Sequence, residues 1–176
     1  MPSDHTQAWI AAYTRPRWEK VVASQLLKVG IQSYVPIRRE VRQWSDRKKT
    51  VEVPLLPSYV LVQLDPTHYQ KVFQADGIVR VITFNRRLAV IRSSEIDLLR
   101  RIERTDEPVS ISSSLFQAQE EVRNTGGAFA GLRGKVVRTE GTCRVALEIQ
   151  ELSFAFLVEV PCSCVERLSD FLQRVA

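Results

Sequence analysis

The hydrophobic period of this 176-residue chain changes partway along, and that change limits it to two dissimilar units. Up to residue 104, short strand-like apolar runs alternate with segments of helical spacing. From residue 119 onward, Gly126, Gly127, Gly131, Gly134 and Gly141 punctuate short β-branched runs. The first pattern predicts a sheet with helices on its faces, an α/β sandwich. The second predicts a small β-barrel. The fold class expected is therefore α+β. Residues 105–118 carry Pro108 and Ser112–Ser114 with weak periodicity, and read as a linker.

Charge changes at the same place. Residues 1–104 hold 18 basic and 10 acidic side chains, and residues 105–176 hold 7 and 10, so a front of +8 meets a back of −3. A basic unit followed by a mildly acidic one suggests different partners. No apolar run reaches the roughly 18 residues of a membrane helix. The start, MPSDHTQ, lacks a basic stretch followed by an apolar one, so a cytoplasmic protein is expected. The three cysteines then read as reduced thiols. With only His5 and His68, no nucleophile–base pair can be assembled, and a non-enzyme is expected.

In the front unit, residues 9–14 suit a buried strand. Pro16 reads as the first residue of a helix whose apolar positions are Trp18, Val22, Leu26 and Val29, with Gly30 closing it. Residues 38–49 form a hairpin-like insert with six basic and two acidic side chains. Residues 59–64 are the clearest strand. A helix through about Gln74, two strands joined by Asn85–Arg87, and a helix capped by Ser93 or Ser94 complete the unit.

Five features invite a functional reading. In the insert, Trp44 could stack on an unpaired base while Arg42, Arg47, Lys48 and Lys49 hold phosphates. The plain alternative is a solvated hairpin. Arg15, Arg17 and Trp18 sit at a strand-to-helix junction, where free backbone N–H groups favour phosphate. Trp18 alone is as well explained as core. Alternation puts Tyr59 and Leu61 on one strand face, either an apolar docking surface or half of a strand buried on both faces. Cys162 and Cys164 could share a face, but a metal site lacks two further ligands of fitting spacing, so the thiols read as small hydrophobes. NTGGAFAGLRG lacks the pattern of a nucleotide-phosphate loop and reads as a barrel turn. No cofactor or metal is expected.

Three stretches carry a family likeness: WIAAYTRPRWEK, RQWSDRKKTVEVPLLPSYVLVQ, and VRNTGGAFAGLRGKV with RVALEIQELSFAFLVEV. Together they resemble the NusG family of transcription elongation factors. The resemblance implies an N-terminal NusG domain over 7–104, a linker over 105–118, a KOW β-barrel over 119–168 and a tail over 169–176. WIAAYTRPRWEK and RQWSDRKK are similar to specialised UpxY-type antiterminators of capsular polysaccharide operons, related to RfaH and LoaP. Pro57-Ser58-Tyr59 and Gly127-Ala128-Phe129 depart mildly from the usual family motifs.

The resemblance implies a transcription antitermination factor that suppresses pausing. Tyr59 and Leu61 would meet the clamp helices of the largest RNA polymerase subunit. Thr14, Arg15, Arg17 and Trp18 would touch the exposed non-template DNA strand, with nascent RNA as the other candidate. Phe129 would face the partner of the KOW domain, with a small-subunit ribosomal protein as one candidate. The competing reading is a ribosome- or RNA-binding KOW module. The negative charge of the back unit disfavours a phosphate grip there.

Overall fold

A computed structural model describes residues 7–43, 47–112, 120–139 and 142–169, and the chain divides into two compact units between Glu103 and Arg104. The first unit holds β1 (Ala8–Thr14), α1 (Glu19–Lys28), β2 (Gln32–Tyr34), β3 (Ile37–Gln43), β4 (Lys48–Pro54) and β5 (Tyr59–Leu64). After a 3-10 segment at Pro66–Gln74 come β6 (Ile78–Val81), β7 (Thr83–Phe84), β8 (Arg87–Leu88), β9 (Val90–Ile91) and α2 (Ser93–Arg104). The central sheet runs β2-β5-β1-β6, with β9 also on β1, and every pairing is antiparallel.

Alternation divides the sheet into two faces. Ile10, Ala12, Val60, Val62 and Leu64 pack with Val22 and Leu26 of α1. Ala11 and Leu61 point the other way, in register with Tyr34 across the strands. On that face the Glu103 carboxylate of α2 accepts from the Tyr34 hydroxyl at 2.7 Å and from the Ile37 N–H at 2.6 Å. Leu61 is fully buried, so this strand is buried on both faces and Leu61 offers nothing to a partner.

Helix α1 begins later than Pro16 suggests. The N–H of Trp18 donates to the Arg15 carbonyl, closing a turn, and the helix starts at Glu19. It ends as expected: the N–H groups of Gly30 and Ile31 donate to Leu27 and Leu26, and Gly30 sits at φ +77°. Helix α2 is opened by Glu95 rather than by a serine. Its carboxylate accepts from the backbone N–H of Arg92 at 2.8 Å and pairs with that arginine's guanidinium.

The basic insert is a two-stranded hairpin, β3 against β4, with Arg42 opposite Lys49. Glu52 ties its root to α1 through Lys20 and lies 3.7 Å from Arg39. The Lys20 hydrogen bond, with its charge, lowers the Glu52 carboxyl below its ordinary value. Trp44 lies outside the described residues, and Arg42 is placed only by its backbone in β3.

The second unit is a six-stranded sheet in the order β10-β14-β13-β12-β11-β15. Its strands are β10 (Val109–Ser112), β11 (Glu121–Asn124), β12 (Arg133–Thr139), β13 (Thr142–Ile149), β14 (Phe154–Val160) and β15 (Val165–Arg167). Val109–Ser112, expected as linker, is a strand because its backbone finds a free edge on β14. Val145, Leu147, Ile149, Phe156, Val158 and Phe129 are buried to 1% exposure or less. A Cβ on Gly134 would lie 2.5 Å from the Ala146 carbonyl oxygen, so its neighbour strand approaches too closely for a side chain.

The expectation of three reduced thiols is corrected. Cys143 and Cys162 form a disulfide, leaving Cys164 free. Spacing gave no hint of the pair, because the antiparallel register of β13 and β14 brings position 143 opposite 160. Thiol titration of the unreduced protein should find one free sulfhydryl. Cys143→Ser should cost about 2–4 kcal/mol in urea unfolding of unreduced protein.

Asp65 caps the 3-10 segment by accepting from the N–H and hydroxyl of Thr67, which lowers its pKa from 3.8 to about 2. A depressed carboxyl stabilises the fold above its unfolded pKa, and that contribution is lost as pH falls through about 2. In an NMR titration, Thr67→Val should move the Asp65 midpoint up toward its ordinary value.

Candidate functional site

Five of the candidates, Thr14, Arg15, Arg17, Trp18 and Tyr59, come together at one end of the central sheet, where β1 ends, α1 begins, and β5 and β6 start. Three backbone contacts build this corner. The Thr14 N–H donates to the Ser58 carbonyl at 2.8 Å, and the Arg15 N–H donates to the Gly77 carbonyl at 2.9 Å. The Ser58 N–H donates to the Glu19 carboxylate at 2.7 Å. Ser58 is left-handed at φ 65°, a conformation that aims its N–H back at α1. Glu19 is 5% exposed, so a buried carboxylate at the helix start is held by a backbone donor.

Thr14 does not reach a ligand. It is fully buried, and its hydroxyl donates to the Arg15 carbonyl at 3.1 Å. The last inward position of β1 claims it, because alternation turns its side chain to the core. Arg15 and Arg17 are exposed in the turn, with Arg17 at φ 66°. The Arg15 guanidinium lies over the Trp18 ring at 5.6 Å. Such a pair is worth about 0.5–1 kcal/mol at an exposed site, enough to bias the guanidinium without immobilising it. Trp18 is half-buried against the core, and its other contact is Gly77, where an added Cβ would lie 2.5 Å from the ring. Trp18 therefore packs on the core with part of its ring left at the surface.

Beside this turn lies an aromatic corner. Tyr13 and Tyr59 stand opposite in register and meet edge to face at 5.3 Å between ring centres. The Arg80 guanidinium lies 5.5 Å over Tyr13. Burial raises the Tyr59 phenol above its ordinary pKa. Tyr13, Arg80 and Glu19 belong to this corner without a signal in the sequence. Tyr13 and Arg80 gain meaning only from the β1–β5 and β1–β6 registers. Glu19 gains its role only from the bond to the Ser58 N–H, 39 residues away in sequence.

The hairpin places Arg47, Lys48 and Lys49 in the open, all exposed. Strand rise puts Lys49 about 10 Å along β4 from the anchored Glu52. In the second unit Phe129 is fully buried, inside the 3-10 turn Gly127–Phe129. It does not face a partner: the turn folds its ring inward, and the adjacent Asn124 holds the loop through its backbone bonds to Gly131 and Leu132. Among the described residues, no group of three or more His, Cys, Asp or Glu is placed to hold a metal. No helix among them is long and apolar enough to cross a membrane.

These features define a class: a mixed α/β unit with a projecting basic hairpin, followed by a small sheet-rich unit. A family model described as transcription termination factor nusG matches residues 7–100. The chain accordingly belongs to the NusG family, whose members are non-enzymatic transcription factors. Among solved structures, one on domain interaction in Thermotoga maritima NusG is 18% identical, with a TM-score of 0.51 over 93% of this chain and 98% of that one. At this identity the likeness is one of fold. Conformation B of the MjSpt4:Spt5 complex is 18% identical over 91% of this chain and 96% of that one, at a TM-score of 0.33. No curated protein gives a significant match.

Gly77 offers a direct test of the corner. Gly77→Ala must move the Trp18 ring and adopt φ +92°, so it should destabilise the fold by about 1–3 kcal/mol and shift Trp18 fluorescence. Gly30→Ala, whose Cβ meets nothing within 4 Å, should cost less and leave the emission unchanged.

Proposed function

We propose that this chain is a specialised elongation and antitermination factor that binds RNA polymerase and the exposed non-template DNA strand, suppressing pausing. The observation that carries the reading is the shared corner: the Arg15–Trp18 turn and the Tyr13–Tyr59 pair meet across one set of hydrogen bonds, Thr14 to Ser58 and Ser58 to Glu19. The aromatic pair suits a protein surface, since half-buried tyrosines supply apolar area and a hydroxyl donor together. The turn suits a single strand, with cations for phosphate and an aromatic face for a base. Polymerase clamp helices are the proposed protein partner, met through Tyr59 with Tyr13 beside it.

Arg47, Lys48 and Lys49 on the hairpin add a second cationic contact to nucleic acid. The likeness of WIAAYTRPRWEK and RQWSDRKK to UpxY-type antiterminators supports action on particular operons of the capsular polysaccharide kind. The mechanism is binding alone: a factor that bridges protein and strand favours the elongating conformation by its differential affinity for it. No bond is made or broken.

The test is transcription in vitro with purified polymerase on the gene's own leader. Wild-type protein should raise read-through at pauses. Tyr59→Ala should weaken polymerase binding by about 1–3 kcal/mol, as for an interface aromatic. Arg15→Ala should leave polymerase affinity near wild type and reduce dependence on the sequence of the exposed strand. Equal loss of polymerase affinity in both variants would refute this division of roles, and unchanged pausing with wild-type protein would refute the reading itself.

A further inference from the structure

A second basic element follows β6, and its outermost residues, Phe84, Arg86 and Arg87, take no part in the contacts described above. Residues 78–92 contain four arginines and no acidic residue. Within them β7 and β8 form a minimal hairpin, Thr83 opposite Leu88 and Phe84 opposite Arg87. Its two-residue turn is Asn85–Arg86, at φ 50° and 62°. This is the left-handed pair that a tight hairpin of the right twist demands, and glycine is the easy residue at its second position. An arginine there accepts an uncomfortable backbone while its side chain is thrown clear of the sheet.

Phe84, Arg86 and Arg87 are all exposed, Phe84 at 45%. Ile82 and Ala89 root the hairpin in the sheet: both are buried, and the Ala89 N–H donates to the Ile82 carbonyl at 3.0 Å. Arg92 is engaged with Glu95, and Arg80 lies over Tyr13. Among the described residues, Arg86 and Arg87 meet no carboxylate. A rooted turn therefore holds out an aromatic ring and two uncompensated guanidinium groups.

We propose that the β7–β8 turn is a separate single-strand nucleic-acid contact, with Phe84 stacking on a base and Arg86 and Arg87 holding phosphates. The pairing of Phe84 with Arg87 across the hairpin sets a ring and a cation side by side, the combination that grips a strand without reading its sequence. A protein surface would also attract cations, but it would not need a bare ring flanked by two of them. This contact rests on the proposed function only for which strand is bound in the cell. Its existence is independent of the Arg15–Trp18 turn.

The experiment uses the full chain and a fluorescein-labelled oligothymidylate, with affinity measured across a salt series. Each phosphate contact to a single strand adds about 0.7 to the slope of log K against log salt. The paired variant Arg86→Ala, Arg87→Ala should therefore lower the slope by about 1.4. Phe84→Ala should weaken binding roughly 5- to 100-fold with the slope unchanged. Circular dichroism should match wild type for each, because all three side chains are exposed.

Wild-type slope and affinity in the paired variant would overturn the proposal. So would normal oligothymidylate binding combined with lost polymerase binding in the absence of DNA, which would make the turn a protein contact. Arg15→Ala, Arg17→Ala is the parallel arm. If that variant loses oligonucleotide binding while the turn variants keep it, the contact proposed here fails and the proposed function stands. If the turn variants lose binding while the Arg15/Arg17 variant keeps it, the reverse holds.

Discussion

The bond between the Glu19 carboxylate and the Ser58 N–H organises the front unit. A buried carboxylate without a donor would be costly, and a left-handed Ser58 without an acceptor would leave a buried N–H unpaired. Each removes the other's penalty. The pair also fixes where α1 starts, and so leaves residues 15–18 outside the helix as a turn. It fixes the approach to β5, and so the position of Tyr59 against Tyr13. Gly77 completes the knot by letting Trp18 close over it. Surface contacts on both sides of this corner inherit their geometry from one hydrogen bond inside it.

Much of this architecture is visible in sequence. The change of period near residue 104 marks the division of the two units, and alternation locates β1, β5, β13 and β14. What alternation cannot reveal is whether a strand with apolar residues at every position is covered on one face or two. Leu61 shows the difficulty: its face looks available until α2 is placed over the neighbouring strand by Glu103. Thr14 and Phe129, contact residues by family resemblance alone, are buried for a related reason. A family motif carries a position over without its tertiary neighbours, and here those neighbours close over both side chains. The arginines at 15 and 17 were easier, because a cation without a buried partner has few destinations other than solvent.

The second unit shows tertiary context overriding local preference. Residues 144–152 are rich in Ala, Leu, Glu and Gln, which are good helix formers. They nonetheless supply most of β13, because strands on both sides satisfy its backbone and every second side chain is buried. Gly134 contributes by allowing β12 to approach without a side chain in the way. The disulfide was equally hidden, since it depends on a register that no cysteine count discloses.

The β3–β4 hairpin is electrically uneven along its length. At its root Glu52 is neutralised by Lys20 and Arg39, whereas Lys48 and Lys49, further out, meet no carboxylate among the described residues. Charges balanced near the body cancel at a distance, but those at the end do not. The field of Lys48 and Lys49 therefore reaches outward by roughly a Debye length, about 8 Å in physiological salt. Such a field turns an approaching polyanion toward these two lysines before any contact forms. If the hairpin takes the nucleic-acid role proposed for it, it would act on the encounter itself, biasing the orientation in which a strand arrives, and lower ionic strength would speed association without any change in the bonds finally made.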